Sequence, residues 1–499
     1  MKHLASILIF VSLCIHTQVC SQNPNPGADI IYNPHVVAVI EVTMDTADKA
    51  FMLHDDNKWS DEYMSASLRF RNDQIDTFIE GAGIRLRGNT SRNHPKKSLK
   101  LKFKEFGGKK FYGYKKFNLK AENNDPTFLR EHYTLQTYRE AGLAAARSHH
   151  AEVYINGEYM GLYLNVEQLD DEFTVSRFGN DTGNLYKCLW GSSLEDDGQY
   201  ADDLIYELKN NETINDRSKL LNFIKVLNHA SDDSFSTQIS RWVDMDKLIR
   251  FLAVEIVVGH WDGYSYNKNN FYIYENPATG KMEFIPYDVD NTFGMDWVGK
   301  DWAKRDVMKW AYDQNTRPLI NRIMDNYGLR YQLGEQLKYV LDSVFTTQIL
   351  FPQFESSKSL LMNSVKADTY YPKTFGFSIS DFSDGHTQRV VNHAPYGLRP
   401  YMEERISSAR TQLAFLSVPI STSYHEKILI YPNPSSGYAI TIDGDVVGDV
   451  KVTSVTGQNI PFDSTSFTNN QLELRFTRHI SSGLYIIQTS TWQSTFVVH

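Results

Sequence analysis

Residues 259–294 predict a β-hairpin with a polar loop at each end, and this constrains the fold more than any other stretch of the chain. Residues 271–275 and 281–286 are apolar and aromatic, and the Asn-Pro-Ala-Thr-Gly segment between them is a strong turn signal. The start of the first strand of an antiparallel hairpin lies beside the end of the second, so the two loops are predicted to meet. Their acid and amide side chains are Asp262, Asn267 and Asn270 before the hairpin, and Asp288 and Asp290 after it.

The residue types in these loops, and their order, indicate phosphate chemistry. Converging carboxylates and amides suit a hard divalent cation that also binds phosphate oxygens. Protein kinases place a catalytic Asp shortly before a metal-binding Asn, and a second metal-binding Asp follows near a Gly. Asp262 and Asn267 have the kinase spacing, and Phe293-Gly294 follows Asp288 and Asp290. Turn-forming residues around a hairpin, or a structural calcium site, would give a similar pattern, so both interpretations remain open.

A second segment, residues 84–103, predicts two strands joined by a polar turn. In the second strand Leu99 and Leu101 alternate with Lys100 and Lys102, which predicts one face in the core and one that presents cations. The turn offers N–H groups, hydroxyls and guanidinium groups to an anion, although the standard phosphate-loop motifs are absent. An ordinary basic surface hairpin is the alternative. The candidate phosphate-binding residues here are Arg87, Asn89, Ser91, Lys97 and Lys100.

Several segments together resemble the spore coat protein H (CotH) kinase family, a group of secreted or surface-exposed atypical protein kinases. The matching segments are RLRGNTSRNHPKKSLKLKF, NLKAENNDPTFLRE, VYINGEYMGLYLNVEQLDDEF, and WDGYSYNKNNFYIY with FIPYDVDNTFG. They span most of residues 30–415 in the order typical of the family. The resemblance implies a diverged kinase-like fold, ATP as the phosphate donor, and Mg²⁺ or Mn²⁺ as the metal.

The resemblance also implies roles for individual positions. Asp262 resembles the catalytic residue. The implied metal ligands are Asn267, Asn270, Asp288 and Asp290. Asp288 follows Tyr287, where the family usually has a Trp, so an aromatic residue is retained. Glu167 joins the candidates for nucleotide binding, with Lys187 as a further one, and it stays open which lysine of the basic strand reaches the phosphates.

The first residues predict export from the cytoplasm. Residues 1–21 combine Met-Lys-His with the apolar run LASILIFVSLCI, which is too short for a permanent membrane span. This pattern predicts a secretory signal peptide, cut near Ser21-Gln22. Two of the three cysteines lie in this segment, so the mature chain would keep Cys188 and form no internal disulfide. No transmembrane helix is predicted elsewhere.

The tail, from about residue 429 onward, contains short alternating strands broken by Gly, Pro, Asn and Ser. This pattern predicts a small immunoglobulin-like β-sandwich. YPNP at 431–434, the turn VTGQ and GLYII at 483–487 resemble the type A C-terminal sorting domain of the type IX secretion system. The resemblance implies export across the outer membrane, followed by surface attachment or release. A generic immunoglobulin-like spacer is the alternative.

The expected fold class is α+β, a diverged protein-kinase-like domain followed by the small all-β sandwich. The expected boundaries are 1–21 for the signal peptide, 22–415 for the kinase-like domain, 416–428 for a linker and 429–499 for the sorting domain. One clear helix is predicted around residues 127–140. The formal net charge of −9, without a long Lys/Arg-rich block, argues against nucleic acid as the partner.

Two functions of different classes follow. The first is a secreted or cell-surface protein kinase that transfers the γ-phosphate of ATP to hydroxyl side chains of exported proteins, with the type IX secretion machinery as a further partner. The second is a non-catalytic surface adhesin or coat-type structural protein that keeps the fold. Phosphate transfer to a small molecule or a glycan would use the same site as the first.

Overall fold

The computed structural model describes residues 27–311, 316–414 and 429–498, apart from 444–449, 456–457, 469–470 and 489–492. The predicted signal peptide and linker lie outside the described residues. Clusters of buried apolar residues organise the described chain into an N-terminal barrel, a mixed second part and a C-terminal β region.

The N-terminal part is a closed β-barrel. Its strands are β1 (Ala38–Met44), β2 (Met64–Arg71), β3 (Asp76–Leu86), β4 (Leu99–Lys102), β5 (Lys116–Lys120), β6 (Ser148–Ile155) and β7 (Glu158–Val166). The order around the barrel is β1-β2-β3-β4-β5-β7-β6, and the parallel pairing of β6 with β1 closes it. Closure removes the free strand edges that otherwise invite pairing with another chain.

The alternation predicted for β4 is confirmed. Leu99 and Leu101 are buried in the barrel core, whereas Lys100 lies on the outer face and is only partly buried. Cross-strand partners share a face of the sheet, and those of Lys100 are Arg85 on β3 and Asn118 on β5. A polar and basic strip therefore runs across the outside of these three strands.

The second part contains an antiparallel sheet in the order β11-β10-β8-β9. Its strands are β8 (Leu185–Cys188), β9 (Tyr206–Leu208), β10 (Phe271–Asn276) and β11 (Lys281–Pro286). The predicted hairpin is confirmed, because β10 pairs with β11 along its whole length. In the turn, the Gly280 N–H donates to the carbonyl of Asn276 at 2.9 Å, and the φ of +72° at Gly280 is one that residues with a side chain rarely adopt.

Helices surround this sheet and also flank the barrel. Those of the described residues are α1 (Ala28–Ile31), α2 (Thr46–Leu53), α3 (Arg130–Glu140), α4 (Asp171–Phe178), α5 (Ser218–His229), α6 (Asp232–Ile239), α7 (Met245–Val258), α8 (Tyr264–Asn267), α9 (Pro318–Asp325), α10 (Tyr327–Tyr339), α11 (Thr347–Ala367), α12 (Tyr371–Phe375), α13 (Ile379–Asp384) and α14 (Leu398–Gln412). None of these helices combines the length and the apolar character that a membrane span requires.

Two helices deliver the chain into the polar loops. The buried helix α7 ends at Val258, and the left-handed conformation of Gly259, the next residue, turns the chain toward Asp262. The helix predicted around residues 127–140 begins later, at Arg130. The reason is that the buried carboxylate of Asp125 accepts the N–H groups of Thr127, Leu129 and Arg130, which holds the preceding residues in a turn.

A buried ion pair joins the barrel to the end of α11. The ammonium group of Lys96, in the loop before β4, donates to Oδ2 of Asp368 at 2.7 Å. The same carboxylate oxygen accepts the N–H of Leu162, on β7, at 2.9 Å. The side chains of Lys96 and Asp368 are only 2% and 0% exposed. Because separating them would leave an uncompensated buried charge, the pair fixes the end of α11 against the barrel.

The C-terminal region is all β. Its strands are β12 (Leu429–Tyr431), β13 (Ala439–Asp443), β14 (Lys451–Ser454), β15 (Phe462–Thr468), β16 (Gln471–Phe476), β17 (Gly483–Gln488) and β18 (Gln493–Val498). Its described residues form antiparallel sheets in the orders β12-β13-β16-β15 and β14-β17-β18. A small β region after a mixed α/β region agrees with the expected fold class. The immunoglobulin-like assignment and the domain boundaries stay predictions.

Candidate active site

The hairpin brings its two polar loops together. The carboxylate of Asp262 accepts hydrogen bonds from the amides of Asn267, which ends the short helix α8, and, at 3.0 Å, Asn270, which lies just before β10. From the loop after β11, the amide of Asn291 donates to the same carboxylate at 3.4 Å. The Tyr287 N–H also donates to the carbonyl of Asn270 at 3.2 Å, which ties the hairpin ends to each other. Asp262 is therefore held by amides from both loops.

The backbone of these loops is strained. Lys268, Asn270, Asp288 and Phe293 have φ values of 54°, 55°, 50° and 49°. Residues other than Gly seldom adopt such values, because the side chain then crowds the backbone. Strain of this kind persists where surrounding contacts over-determine the conformation, and it is concentrated at functional sites.

The environment of Asp262 suits a proton acceptor. Burial raises the pKa of Asp262 to about 6, against the hydrogen bonds from Asn267 and Asn270, and the negative charge of Asp288 adds to the increase. A carboxylate whose pKa lies near neutrality can take a proton from a hydroxyl group more readily than an ordinary aspartate.

Lys120 is not among the residues that the sequence predicts, yet its ammonium group lies among the acids of this site. Lys120 ends β5, and its Nζ contacts Oδ1 of Asp288 at 2.5 Å. It also forms an ion pair with Glu131, in the first turn of α3. Carboxylate oxygens of Asp290 and Glu122 lie 3.8 Å and 4.0 Å from it. A strand lysine paired with a helix glutamate is the arrangement that protein kinases use beside the nucleotide phosphates.

The carboxylates around Lys120 outnumber it, and their pKa values diverge. Burial alone would raise the pKa of Asp288, but the ammonium group of Lys120 lowers it to about 2. Burial raises the pKa of Asp290 to about 8, against the effect of Lys120. Burial also raises the pKa of Glu122 well above its usual value. In the described part of the chain, neither carboxylate oxygen of Glu122 has a hydrogen-bond partner. More carboxyl groups therefore surround Lys120 than one ammonium group can keep in the ionised form.

This surplus fits a hard divalent cation. Carboxylate and amide oxygens are the ligands that Mg²⁺ and Mn²⁺ prefer. The predicted ligand set contains two carboxylates, Asp288 and Asp290, and the unpartnered oxygens of Glu122 border the same pocket. Within the described ranges, His, Cys, Asp and Glu side chains do not gather in threes or more in a geometry that would hold a metal ion as it stands. A cation on Asp288 would share that carboxylate with Lys120.

Basic side chains gather around Tyr287, the residue before Asp288. The guanidinium group of Arg87 donates to the Tyr287 hydroxyl at 3.4 Å. The ammonium group of Lys187 lies 4.8 Å from the centre of the Tyr287 ring. The positive charges of Arg87 and Lys187 both act on Asp288. A basic wall, defined by Arg87, Lys100 and Lys187, therefore adjoins the acidic pocket.

Lys100 lies among other cations and forms no ion pair with the described residues. Burial lowers the pKa of Lys100 to about 6, and the charges of Arg87 and Lys116 add to the decrease. Lys102 pairs with Glu105, whereas Lys100 has no carboxylate within ion-pair distance among the described residues. A polyanion at this wall would favour the charged form of Lys100 and pair with it.

The other residues predicted from the basic segment lie in different surroundings. Asn89 is exposed in the turn after β3, and the Ser91 hydroxyl donates to the carbonyl of Arg87 at 3.4 Å. Lys97 is buried, and its ammonium group donates to Asp55 at 3.1 Å. Asn89 and Ser91 therefore lie within a few residues of Arg87 in the basic wall, whereas the ammonium group of Lys97 is already paired with Asp55.

The structure does not bring Glu167 to the carboxylates around Lys120. Glu167 is buried at the end of β7, where it pairs with Arg147 at 3.2 Å and with Arg177 at 2.6 Å. It also accepts the N–H of Arg147 at 2.9 Å. These contacts make Glu167 the anchor of the segment that leads from the barrel into α4.

His260 and Asn291 are also functional candidates that the sequence interpretation missed. His260 is buried between the two loops, and burial lowers its pKa to about 3, so the ring stays neutral. The available signal was the motif His-x-Asp-x₄-Asn, in which His260 precedes Asp262 and Asn267 as in protein kinases. Asn291 directly follows Asp290, and only the folded hairpin brings it to Asp262.

A lysine–glutamate pair, an H-x-D loop with its Asn, and an Asp after a hairpin together define a protein-kinase-like domain. The chain belongs to the CotH kinase protein family, whose sequence profile matches residues 84–408. Residues 429–498 match the secretion system C-terminal sorting domain. Both resemblances predicted from the sequence are confirmed. The sorting domain indicates export to a surface or secreted location.

Relatives of the chain come from a bacterium and a fungus. The inner spore coat protein H of Bacillus subtilis is 27% identical over 62% of this chain and 84% of its own length. In Rhizopus delemar, spore coat protein homolog 1 is 27% identical over 50% of this chain and 42% of its own length. Invasin CotH3 of the same fungus is 24% identical over 64% and 58%. The match therefore spans most of the Bacillus protein but only about half of each fungal one.

Solved structures resemble the chain only distantly. A HipA–HipB toxin–antitoxin complex from Shewanella oneidensis matches 75% of this chain and 73% of its own, with a TM-score of 0.30 and 11% identity. The proinflammatory kinase CtkA of Helicobacter pylori matches 67% of this chain and 98% of its own, with a TM-score of 0.26 and 11% identity. These values are too low to define the fold, which rests on the contacts described above.

The surplus of carboxylates predicts that Lys120 contributes more to the free energy of unfolding than its partner Glu131 does. Lys120→Met should lower the free energy of unfolding by about 3–5 kcal/mol, because buried carboxylates lose their cation. Glu131→Gln should lower the free energy of unfolding much less, since it removes one of the competing negative charges. Denaturant unfolding of the full chain measures both, with Lys102→Met as the control because Lys102 is a more exposed lysine paired on the surface. Equal losses for the Lys120 and Glu131 variants would contradict the charge surplus.

Proposed function

We propose that the protein is an exported, ATP-dependent protein kinase that transfers the γ-phosphate of ATP to hydroxyl side chains of secreted or surface proteins. The observation that carries this proposal is the position of Lys120 between Glu131 and Asp288, with Asp262 on the adjoining loop. A lysine for the phosphates, an acid for the metal and a separate acid for the proton are the groups that phosphoryl transfer requires.

Each group has a role that follows from its surroundings. Asp262, with its pKa of about 6, orients the acceptor hydroxyl and takes its proton. Asp288 and Asp290, with Asn267 and Asn270, would hold Mg²⁺ or Mn²⁺, which offsets the charge of the phosphates. Lys120 stays anchored by Glu131 and offers its remaining N–H groups to phosphate oxygens.

The basic wall would receive the rest of the triphosphate. Arg87 and Lys100 offer a guanidinium and an ammonium group on the barrel side, and Lys187 offers a second ammonium group on the sheet side. Little covalent chemistry is required of the protein, so positioning and charge neutralisation supply most of the rate enhancement. We assign the nucleotide to the cleft between the outer face of β3–β5 and the loop after β11.

A second function is favoured by the names of the relatives. One is called a spore coat protein and another an invasin, which agrees with a non-catalytic coat or adhesin role at a surface. The position and the raised pKa of Asp262 favour the kinase, because a purely structural descendant does not need a proton acceptor beside metal ligands. Phosphate transfer to a glycan or a small molecule would use the same residues.

Two substitutions separate the proton acceptor from the metal ligand. Asp262→Asn should lower turnover by a factor on the order of 10²–10⁴ while Mg·ATP still binds, because only the proton acceptor is lost. Asp288→Asn should weaken the binding of Mg·ATP itself. The measurements are transfer from γ-labelled ATP with phosphosite mapping, and calorimetric binding. Asp342→Asn is the control, since Asp342 is partly exposed and pairs with Arg410. Parent-like transfer by the Asp262 variant would remove the kinase assignment from this loop.

The basic wall predicts a difference between two lysines of the same strand. Lys100→Ala should raise the apparent KM for ATP roughly tenfold or more, because a charge-assisted contact to phosphate is lost. Lys102→Ala should leave the KM unchanged, since Lys102 lies on the same face but pairs with Glu105. Arg87→Ala should act like the Lys100 variant. Equal KM values for the Lys100 variant and the parent would move the nucleotide away from this wall.

The C-terminal region is proposed to direct export through the type IX secretion machinery. Residues 416–499, fused behind a signal peptide and a reporter, should carry the reporter across the outer membrane of a host that has this machinery. A fusion that lacks only β18 should fail, because it loses a strand that pairs with β17 along its whole length. Cell fractionation measures the result. A full-length fusion that stays in the periplasm would contradict the sorting role and leave the kinase proposal untouched.

A further inference from the structure

Helix α3 contacts the active site at two points one turn apart. Glu131 forms the ion pair with Lys120, and Thr134 lies three positions later, on the same face of the helix. The hydroxyl of Thr134 is 2.8 Å from the hydroxyl of Thr292. Thr292 lies in the loop after the hairpin, two positions beyond Asp290. Both threonines are 0% exposed. A helix that anchors Lys120 is therefore bonded directly to the loop that carries Asp288 and Asp290.

The direction of this hydrogen bond follows from the other contacts of Thr292. The Thr292 hydroxyl donates to the carbonyl of Val289 at 3.0 Å, and a hydroxyl has one proton to donate. Thr134 must therefore be the donor in the pair. The Thr292 N–H donates to the carbonyl of Asp290 at 3.0 Å. Thr292 thus closes the loop around Val289, the residue between the two acids, and Thr134 holds Thr292 in that position.

We propose that Thr134 is a positioning residue that couples Glu131 and Lys120 to the Asp288–Asp290 loop, so that the phosphate-binding and metal-binding groups are set as one unit. The inference deepens the proposed kinase function and rests on it for the ligand, which is Mg·ATP. No hydrogen bond of the described residues joins Thr134 to Lys120, Asp288 or Asp290. It acts through Thr292, whose hydroxyl determines the conformation of the loop.

A second set of contacts supports the same unit. Phe354 of α11 packs against Tyr133 of α3, with ring centres 4.7 Å apart, and against Phe293 of the loop at 6.1 Å. The Tyr133 hydroxyl also lies 2.8 Å from the hydroxyl of Ser357. Helix α11 therefore covers the junction between α3 and the loop. The unit is held together by contacts within this chain.

The test compares two buried threonines of the same helix. Thr134→Val keeps the shape of the side chain and removes the donor to Thr292. Thr137→Val makes the same chemical change, but the Thr137 hydroxyl donates to the carbonyl of Tyr133 within α3. Thr134→Ser restores the hydroxyl and is the rescue variant. The full chain is used for all three.

The first measurement is calorimetric binding of Mg·ATP. Thr134→Val should raise the dissociation constant roughly two- to tenfold, the range expected when one buried neutral hydrogen bond no longer orders the site. Thr137→Val should bind like the parent, and Thr134→Ser should recover most of the affinity. Parent-like binding by Thr134→Val, or an equal loss in Thr137→Val, would overturn the coupling.

The second measurement does not depend on the nucleotide. Amide hydrogen exchange of residues 288–294 should be faster in Thr134→Val than in the parent, and unchanged in Thr137→Val. Failure of the parent to bind Mg·ATP would overturn the proposed function, whereas the exchange rates would still decide whether Thr134 holds the loop. Unchanged exchange in Thr134→Val would overturn the inference whatever the parent binds.

Discussion

The contact on which the site depends is that between the ammonium group of Lys120 and the carboxylates of Asp288 and Glu131. Lys120 ends β5 and Glu131 lies in α3, the next element of the chain, whereas Asp288 follows the hairpin far along the chain. Buried carboxylates repel each other and lose their hydration, so they stay ionised together only around a cation. The relative position of the barrel, the helix and the hairpin around Lys120 is therefore a condition for keeping Asp288 and Glu131 charged.

The charges of the site are separated rather than mixed. Acids surround Lys120, while Arg87, Lys100 and Lys187 form the basic wall on the other side of Tyr287. Asp288 lies where the two regions meet, and the charges of Lys120, Arg87 and Lys187 all lower its pKa. A bare anion would complement only the charge of the basic wall, and a bare cation only the acids around Lys120. A ligand that carries both kinds of charge, such as a metal–polyphosphate complex, complements the whole cleft.

Local patterns predict the parts of this site that depend on neighbours in sequence. The hairpin and the inward face of β4 follow from turn signals and alternation, and the meeting of the polar loops follows from strand pairing. Lys120 could not be selected in this way, because its pattern is that of any basic strand and its partners arrive from α3 and the hairpin. Lys97 and Glu167 illustrate the converse. Their charge suggests a ligand, but Asp55 and two arginines already pair with them in the fold.

The buried pair of Lys96 and Asp368 has a consequence for how a ligand would enter and leave the proposed nucleotide site. Rotating the barrel away from α11 would separate two charges whose side chains are 2% and 0% exposed. If that costs on the order of 3 kcal/mol, as loss of one partner typically does, the rotated form would make up less than about one molecule in a hundred. The barrel and the end of α11 therefore keep one relative position, and a ligand would enter and leave the proposed nucleotide site without their separation.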